Sequence, residues 1–494
     1  MKAKQAISEA IKMARGYLDR NPDMAEVFLV KLLKIDPNHV EALQLLGLCK
    51  RQMSEFDEAL KVFEKALTIE PSPENYGNIS LAYSSLKQHD KAIEALNKAI
   101  ELDPQQPLFY SNLAIQYHAI KDYPKAFECM NKALELDSNR GVLWNNLGCL
   151  HNEVGEFEKS LPCFEKAIKL DPGSPSNHVN LGLTYHILGD WQNGFREQEW
   201  RFFHFPDFLP YRSAYNMKKL WDGRASLQGK RLLVHGEQGA GDIIMFLRFA
   251  KNFKELGAHV TYNVPESLQE VARRVQGIDE VVSRDIFKGE SLPAYDYQIS
   301  SMSAPYLLGL TDIDGHAYVR QVDNAGIEFY EQHKNTFNVG IVWGGNPKQP
   351  ENATRSIPLK EFQPLFAVPD VRLFSLQVEP AARAERAGMG DNLPDLMLDV
   401  KDFFDTGKVI TGLDLVIGCQ TAVTHLAGAL GCPVWVLLNK EPDWRWGLEG
   451  EGTIWYDSMR LFRQKEMGNW AEVMARVAER LAQQKKRAGS TSGS

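Results

Sequence analysis

Between residues 418 and 428 the sequence reads GCQTAVTHLAG, a run of small residues interrupted by Gln420, two threonines and His425. Neither a packed interior nor a surface turn calls for that mixture, whereas a helix start built to hold an anion does. Small side chains at 422, 427 and 428 let backbone approach a ligand. The first-turn amides of a helix point outward without partners, and with the helix dipole they attract negative charge. Thr421, Thr424 and His425 are the polar residues that stand out in this stripped loop; His425 alone fits a buried helix cap equally well. A second stretch, GEQGAGD at 236–242, is a glycine turn entering a helix. Gly236 and Gly241 have the spacing of a phosphate loop, but Asp242 stands where such a loop needs lysine, and an acid there repels a triphosphate. The third glycine of a dinucleotide fingerprint is also missing. What remains is a tight turn that either caps its helix with Asp242 or presents Asp242 at the carboxyl end of a strand.

Two further clusters carry weaker signals. TDIDG supplies Asp312 and Asp314 for a metal clamp, but it does not follow a core strand, and no metal site is assigned. PDWRWGLEGEGTIWYDSMRLF holds Trp444, Trp446 and Trp455, whose faces suit sugars or bases but more often pack a core. No site is assigned there.

The elements that must position these residues are legible from residue 226 onward. GKRLLVHG, AHVTYNV, DEVVSR, FNVGIVWGGNP, VRLFSLQ, LDLVIG and CPVWVLL read as strands, each alternating with helical sequence. Two successive sets of strand–helix alternation predict two doubly wound, Rossmann-like lobes with a cleft between them, at 226–330 and 331–486. A linker is expected at 206–225 and a disordered tail at 487–494, where the chain ends RAGSTSGS.

Residues 1–205 have a different period. MAEVFLVKLLKIDP, EALKVFEKALTIEP, KAIEALNKAIELDP, KAFECMNKALELDS and KSLPCFEKAIKLDP superimpose, with Ala25, Ala59, Ala92, Ala126 and Ser160 in register. Pro37, Pro71, Pro104 and Pro172 close four of these units, and a divergent sixth runs from about 175 to 205. Small residues let paired antiparallel helices approach, and the proline stops the second helix of each pair, so an α-solenoid is expected. Pro162 lies inside a second helix and should bend it locally. On the inner face Asn78, Asn112, Asn146 and Asn180 recur every 34 residues. Each offers a donor and an acceptor, so the ladder could grip an extended polypeptide backbone without reading its sequence. It could equally be repeat consensus.

The totals exclude several classes. A chain of 494 residues with a net charge of −8 is a multidomain protein without the basic surface of a nucleic-acid binder. No apolar run is long enough to span a bilayer, and MKAKQAISEAIKMARGYL reads as an amphipathic helix rather than a signal core. The six cysteines form no CxxC pair and sit among apolar or small neighbours, which suits reduced core thiols and a cytoplasmic location.

Two resemblances add to this reading. Residues 6–205 resemble tetratricopeptide repeats, and the asparagine ladder is similar to the one that lines the peptide-binding superhelix of O-GlcNAc transferases. Residues 210–480, through GEQGAGDIIMFLRF, VGIVWGGNP with RSIPL, and TAVTHLAGALGCPVWVLL with PDWRW, resemble glycosyltransferase family 9, the heptosyltransferase type, and bacterial glycosyltransferases fused to such repeats. That likeness implies a GT-B fold, a nucleotide-sugar donor held mainly by the second lobe, and an inverting reaction without a metal or other cofactor. It implies Asp242 as general base, and donor contacts from Gly241, Asn346, Arg355, Gln377, Gln420, Thr421, Ala422 and His425, with Arg355 meeting the phosphates. The sequence departs from the family at Gln420, where an aspartate is usual, and at Gln377, where heptosyltransferases often carry glutamate. The expected function is therefore sugar transfer to a hydroxyl, on a protein recruited by the repeats. The alternative is a non-catalytic repeat scaffold whose degenerate transferase domain binds partners or nucleotide only.

Overall fold

A computed structural model describes residues 2–18, 21–204, 216–285, 288–320, 336–347, 352–441 and 443–491. The chain divides into two compact units, Met1–Thr184 and Tyr185–Ser494.

The first unit is a stack of antiparallel helix pairs: α1 (Lys2–Tyr17), α2 (Pro22–Ile35), α3 (Val40–Gln52), α4 (Phe56–Ile69), α5 (Pro73–Ser85), α6 (His89–Leu102), α7 (Pro107–Ala119), α8 (Tyr123–Leu136), α9 (Gly141–Glu153), α10 (Phe157–Leu170) and the start of α11 (Pro175–Ile187). The in-register small residues do what their size allows. Ala25, Ala59, Ala92, Ala126 and Ser160 are all completely buried. A glycine in a first helix also receives a phenylalanine ring: a Cβ at Gly148 would lie 2.6 Å from Phe164, and one at Gly77 2.8 Å from Phe109. Proline opens α2, α5 and α7, where its missing N–H costs nothing. Pro162, expected to bend its helix, sits within an α10 that runs unbroken from Phe157 to Leu170.

The second unit takes in the end of α11, then α12 (Trp191–Gln198), and contains two all-parallel sheets. The first has the order β3-β2-β1-β4, from β1 (Arg231–His235), β2 (His259–Asn263), β3 (Glu280–Val282) and β4 (Tyr297–Ser300). The second has the order β6-β5-β7-β8-β9, from β5 (Phe337–Val342), β6 (Val371–Ser375), β7 (Leu415–Gly418), β8 (Val434–Leu438) and β9 (Met459–Arg463). Strand order reverses direction between β1 and β4, and again between β5 and β7. The carboxyl ends at those reversals are the places where open parallel sheets accommodate ligands.

Three expectations about the chain's organisation change. Residues 216–225, assigned to a linker, are packed: Leu220 bridges Gln298 alongside β4, and Trp221 is buried and donates through its backbone to the Gln298 carbonyl at 3.1 Å. An indole of that size gains more from burial at a sheet edge than from solvation. The remainder of the expected linker, 206–215, lies outside the described residues. The last helix, Trp470–Thr491, extends into the stretch expected to be disordered; the Ala, Gln, Lys and Arg residues of 482–488 that lead into it favour helix. All six cysteines are free thiols; Cys149 is exposed rather than in a core. No helix among the described residues is long and apolar enough to cross a membrane.

Candidate functional site

The glycine turn after β1 leads into a helix at Ala240–Phe246, and the GCQTAVTHLAG segment leads from β7 into a helix at Ala422–Ala429. These two helix starts meet. A Cβ placed on Gly241 would lie 2.9 Å from His425 Cδ2 and 3.5 Å from the Ala422 backbone. Where a cleft was expected between Asp242 and the 418–428 loop, the two loops are in contact.

Thr421 is the N-cap of its helix, in extended backbone geometry, and the Thr424 hydroxyl accepts its N–H at 3.3 Å. The Thr421 hydroxyl oxygen itself is buried without a hydrogen-bond partner. His425 is one turn further in and buried. Its Nδ1 lies 3.1 Å from the Tyr456 hydroxyl, and its ring stacks on Trp446 with centroids 5.4 Å apart. Burial, reinforced by the charges of Arg445, Arg248 and Arg355, pushes its pKa down to about 3, so the imidazole is neutral. His425 is therefore a buried ring that orders its neighbours.

Asp242 is not presented free at the strand edge. One carboxylate oxygen accepts the Gly239 N–H at 3.2 Å, which caps the helix, and the other is ion-paired with the Arg445 guanidinium. The capping alternative read from the sequence is the one the geometry shows, and the other carboxylate oxygen is turned to Arg445. Arg445 in turn donates to Asp443 at 2.6 Å and lies 4.3 Å from the centroid of Trp444. Burial disfavours the charge on Arg445, but the carboxylates of Asp242 and Asp443 outweigh it and hold the pKa above the ordinary arginine value.

On the second sheet, Gln377 is consumed internally. Its amide oxygen accepts the N–H groups of Trp343 (3.1 Å) and Gly344 (2.9 Å), and its NH2 returns a bond to the Gly344 carbonyl at 2.9 Å. A glutamate could not make that last bond, which gives Gln377 a physical reason of its own: it shapes the loop after β5. Gln420 is also mostly buried and accepts the Trp446 indole N–H at 3.0 Å, setting the ring that covers His425. Asn346 is exposed in the same β5 loop, and Arg355 ends a short helix, Asn352–Arg355, half-buried beside it. Burial pushes the Cys419 thiol up to about 12 against the charge of Arg355, which also reaches His425. Gly241, Ala422 and His425 thus come together where the two helix starts meet, with Thr421 beside Ala422 and Asp242 beside Gly241, and the charge of Arg355 reaches His425 and Cys419. Gln377 bonds to the loop after β5, and Gln420, next to Thr421, accepts from Trp446.

Sequence reasoning passed over three residues. Arg445 lay inside a Trp-rich stretch read as packing, which those indoles do perform: Trp444, Trp446 and Trp455 are all buried. Arg201 and Glu237 form a bidentate pair, 2.9 Å at each contact, with Arg201 also donating to Ser303 at 2.9 Å. They fill the carboxyl edge of β1 and β4. No local pattern signals a pair 36 residues apart. Asp312 and Asp314 serve their own turn, accepting N–H bonds from Ile313 and His316.

In the first unit the four ladder asparagines are all half-buried. Asn146 donates to Ser111 at 3.0 Å and Asn180 to Asn145 at 3.0 Å, so these two spend their amides between neighbouring repeats. Asn78 and Asn112 make no side-chain hydrogen bond among the described residues. Beside the ladder, one turn on, runs an apolar row of Leu48, Leu81, Ile115, Cys149 and Leu183 that is partly or fully exposed.

Comparison with known proteins agrees with the helical unit. Tetratricopeptide-repeat families match residues 40–73, 73–106, 95–128, 142–174 and 163–193. Protein FlbA of Caulobacter vibrioides is 28% identical over 287 residues, 53% of this chain and 48% of that protein. The Photosystem I assembly protein Ycf3 of Synechococcus sp. strain CC9902 is 30% identical over 98 residues, 19% of this chain and 57% of that protein. The chain thus spans about half the length of the curated relatives it matches. Among solved structures, PilF of Pseudomonas aeruginosa is 18% identical, covering 44% of this chain and all of that one, with a TM-score of 0.34. A thermophilic repeat protein of Thermus thermophilus is 18% identical, covering 37% of this chain and 98% of that one, with a TM-score of 0.34. The N-terminal part of this chain is a tetratricopeptide-repeat solenoid, and a parallel-sheet α/β region follows it.

Proposed function

We propose that the α/β region is a GT-B glycosyltransferase domain of the family 9 type, and that the repeats recruit its polypeptide acceptor. The observation that carries this reading is the meeting of two carboxyl-edge loops, from two successive all-parallel sheets, at Gly241 and His425. In this mechanism Asp242 takes the proton from an acceptor hydroxyl while that oxygen attacks the anomeric carbon. The bond from that carbon to the diphosphate breaks, and the nucleoside diphosphate leaves with the electron pair. Arg355 and the Ala422 and Val423 amides at the start of the Ala422–Ala429 helix stabilise the leaving charge. The face bearing Asn78 and Asn112 holds the acceptor chain, as repeats of this kind commonly hold protein partners.

Specific contacts favour a second reading, a scaffold in which the α/β region no longer transfers sugar. Asp242 is engaged by Arg445, and Gln377 and Gln420 are committed to internal bonds. Thermal unfolding in EDTA with UDP, GDP, ADP, CDP, dTDP and CMP separates the two. A ligand at about 100 times its Kd adds roughly 2.7 kcal/mol to stability. A shift by one nucleotide supports a donor site, and release of sugar from the matching nucleotide sugar then separates transfer from nucleotide binding alone; no shift from any supports a scaffold that binds partners only.

A further inference from the structure

Arg445 is held by two carboxylates, yet its engagement is incomplete. One terminal nitrogen holds Asp242, the other holds Asp443, and Nε is buried with no partner. The side chain is about nine-tenths buried, at 10% exposure. It does not hold the fold through its charge alone, because its backbone carbonyl accepts the Trp455 indole N–H at 2.9 Å. A second unpartnered group, the Thr421 hydroxyl, lies on the adjoining helix start, whose residue Ala422 is in contact with Gly241. A guanidinium is a five-donor fork matched to phosphate as well as to carboxylate, and an unmade hydrogen bond in a buried place is costly. The local charge also allows an anion. Arg248, Arg355 and Arg445 all act on His425, against the carboxylates of Asp242 and Asp443.

We propose that Arg445 is a diphosphate-capturing residue and that Asp242 occupies it in the resting state, as a carboxylate standing in for phosphate. Binding of a nucleoside diphosphate moves Arg445 from Asp242 to the phosphate oxygens. The same exchange frees the Asp242 carboxylate to accept a proton from the incoming hydroxyl. This rests on the transferase reading and adds an order of events to it: donor first, base second.

The test is affinity, measured by calorimetry in EDTA on the full chain, with UDP, GDP, ADP, CDP, dTDP and inorganic pyrophosphate as probes. If Asp242 competes for Arg445, Asp242→Asn tightens binding on the order of tenfold, because the competent state no longer has to be released from the pair. A base that acts only in the chemical step predicts unchanged affinity. Arg445→Gln alone strands a largely buried carboxylate, so the arginine is tested in the Asp242→Asn background. There the double variant should bind at least about tenfold more weakly than the single one. Equal binding by wild type, Asp242→Asn and the double variant would overturn the role of Arg445 and leave the transferase reading standing. Pyrophosphate bound with this pattern and no nucleotide bound would support Arg445 and overturn the nucleotide-sugar donor. Binding of no probe by any variant would overturn both.

Discussion

Gly241 and His425, 184 positions apart in the chain, touch so closely that a methyl group on Gly241 would lie 2.9 Å from the imidazole Cδ2. The ring cannot swing away, since it is stacked on Trp446 and hydrogen-bonded to Tyr456. Gly241→Ala should therefore force the two helix starts apart and cost about 1–3 kcal/mol in urea unfolding. Gly452→Ala, where a Cβ meets nothing within 4 Å, is the control and should change stability by less than about 0.5 kcal/mol. Equal stability of the two variants would mean that the contact is loose.

Gln377 tests whether the departure from the heptosyltransferase pattern is decay or design. Its amide satisfies two N–H groups and one carbonyl of the β5 loop. Gln377→Glu restores the residue common in that family but sets a carboxylate oxygen against the Gly344 carbonyl in a buried place. We expect a loss of about 1–3 kcal/mol and no gain in nucleotide binding. A stable variant that binds nucleotide more tightly would show that the loop is built to accept glutamate.

The contrast between local and distant features explains what the sequence disclosed. Repeat helices were legible because each pair buries an alanine or serine at a fixed spacing. Among the described residues, β1 to β3 and β5 to β8 were legible because their segments are apolar runs followed by turns. β4 and β9 were missed: YQIS is short and half polar, and MRLFR carries two arginines on the edge strand of its sheet. The glycine turn at 236–242 and the helix start at 418–428 were legible in composition. Their closure on each other was not, because the Asp242–Arg445 pair joins residues 203 apart and leaves no periodic trace.

Three buried histidines are expected to make the α/β unit sensitive to acid. Burial lowers His186 and His425 to about 3 and His235 to about 4, from an ordinary 6.5. Depressed values mean that the unfolded chain takes up protons the folded one refuses, so stability is lost as pH falls below about 6.5 and continues to fall towards 4. His186 is the cleanest probe, because neither ring nitrogen has a hydrogen-bond partner and the ring stacks on Trp444. His186→Phe keeps the stack and deletes the titration. The stability lost between pH 7 and pH 5 should shrink by about 2 kcal/mol in the variant. An unchanged pH slope would mean that His186 becomes hydrated on the folded protein.

Among the described residues, two ladder asparagines bond between repeats and two do not, and this separates consensus from function. Asn146 and Asn180 bond between repeats, so replacing either by alanine should cost about 1 kcal/mol of stability. Asn78 and Asn112 make no such bond, and their replacement should change stability by less than about 0.5 kcal/mol. If the ladder grips backbone, those two silent changes are the ones that weaken capture of unstructured peptides selected on the wild-type chain from a display library. The apolar row of Leu81 and Ile115, one turn away, would then supply side-chain pockets beside the backbone contacts. Loss of peptide capture by Asn78→Ala with Asn112→Ala, at unchanged stability, would assign the inner face to a polypeptide. Retained capture would reduce the ladder to a repeat habit and move the acceptor site elsewhere.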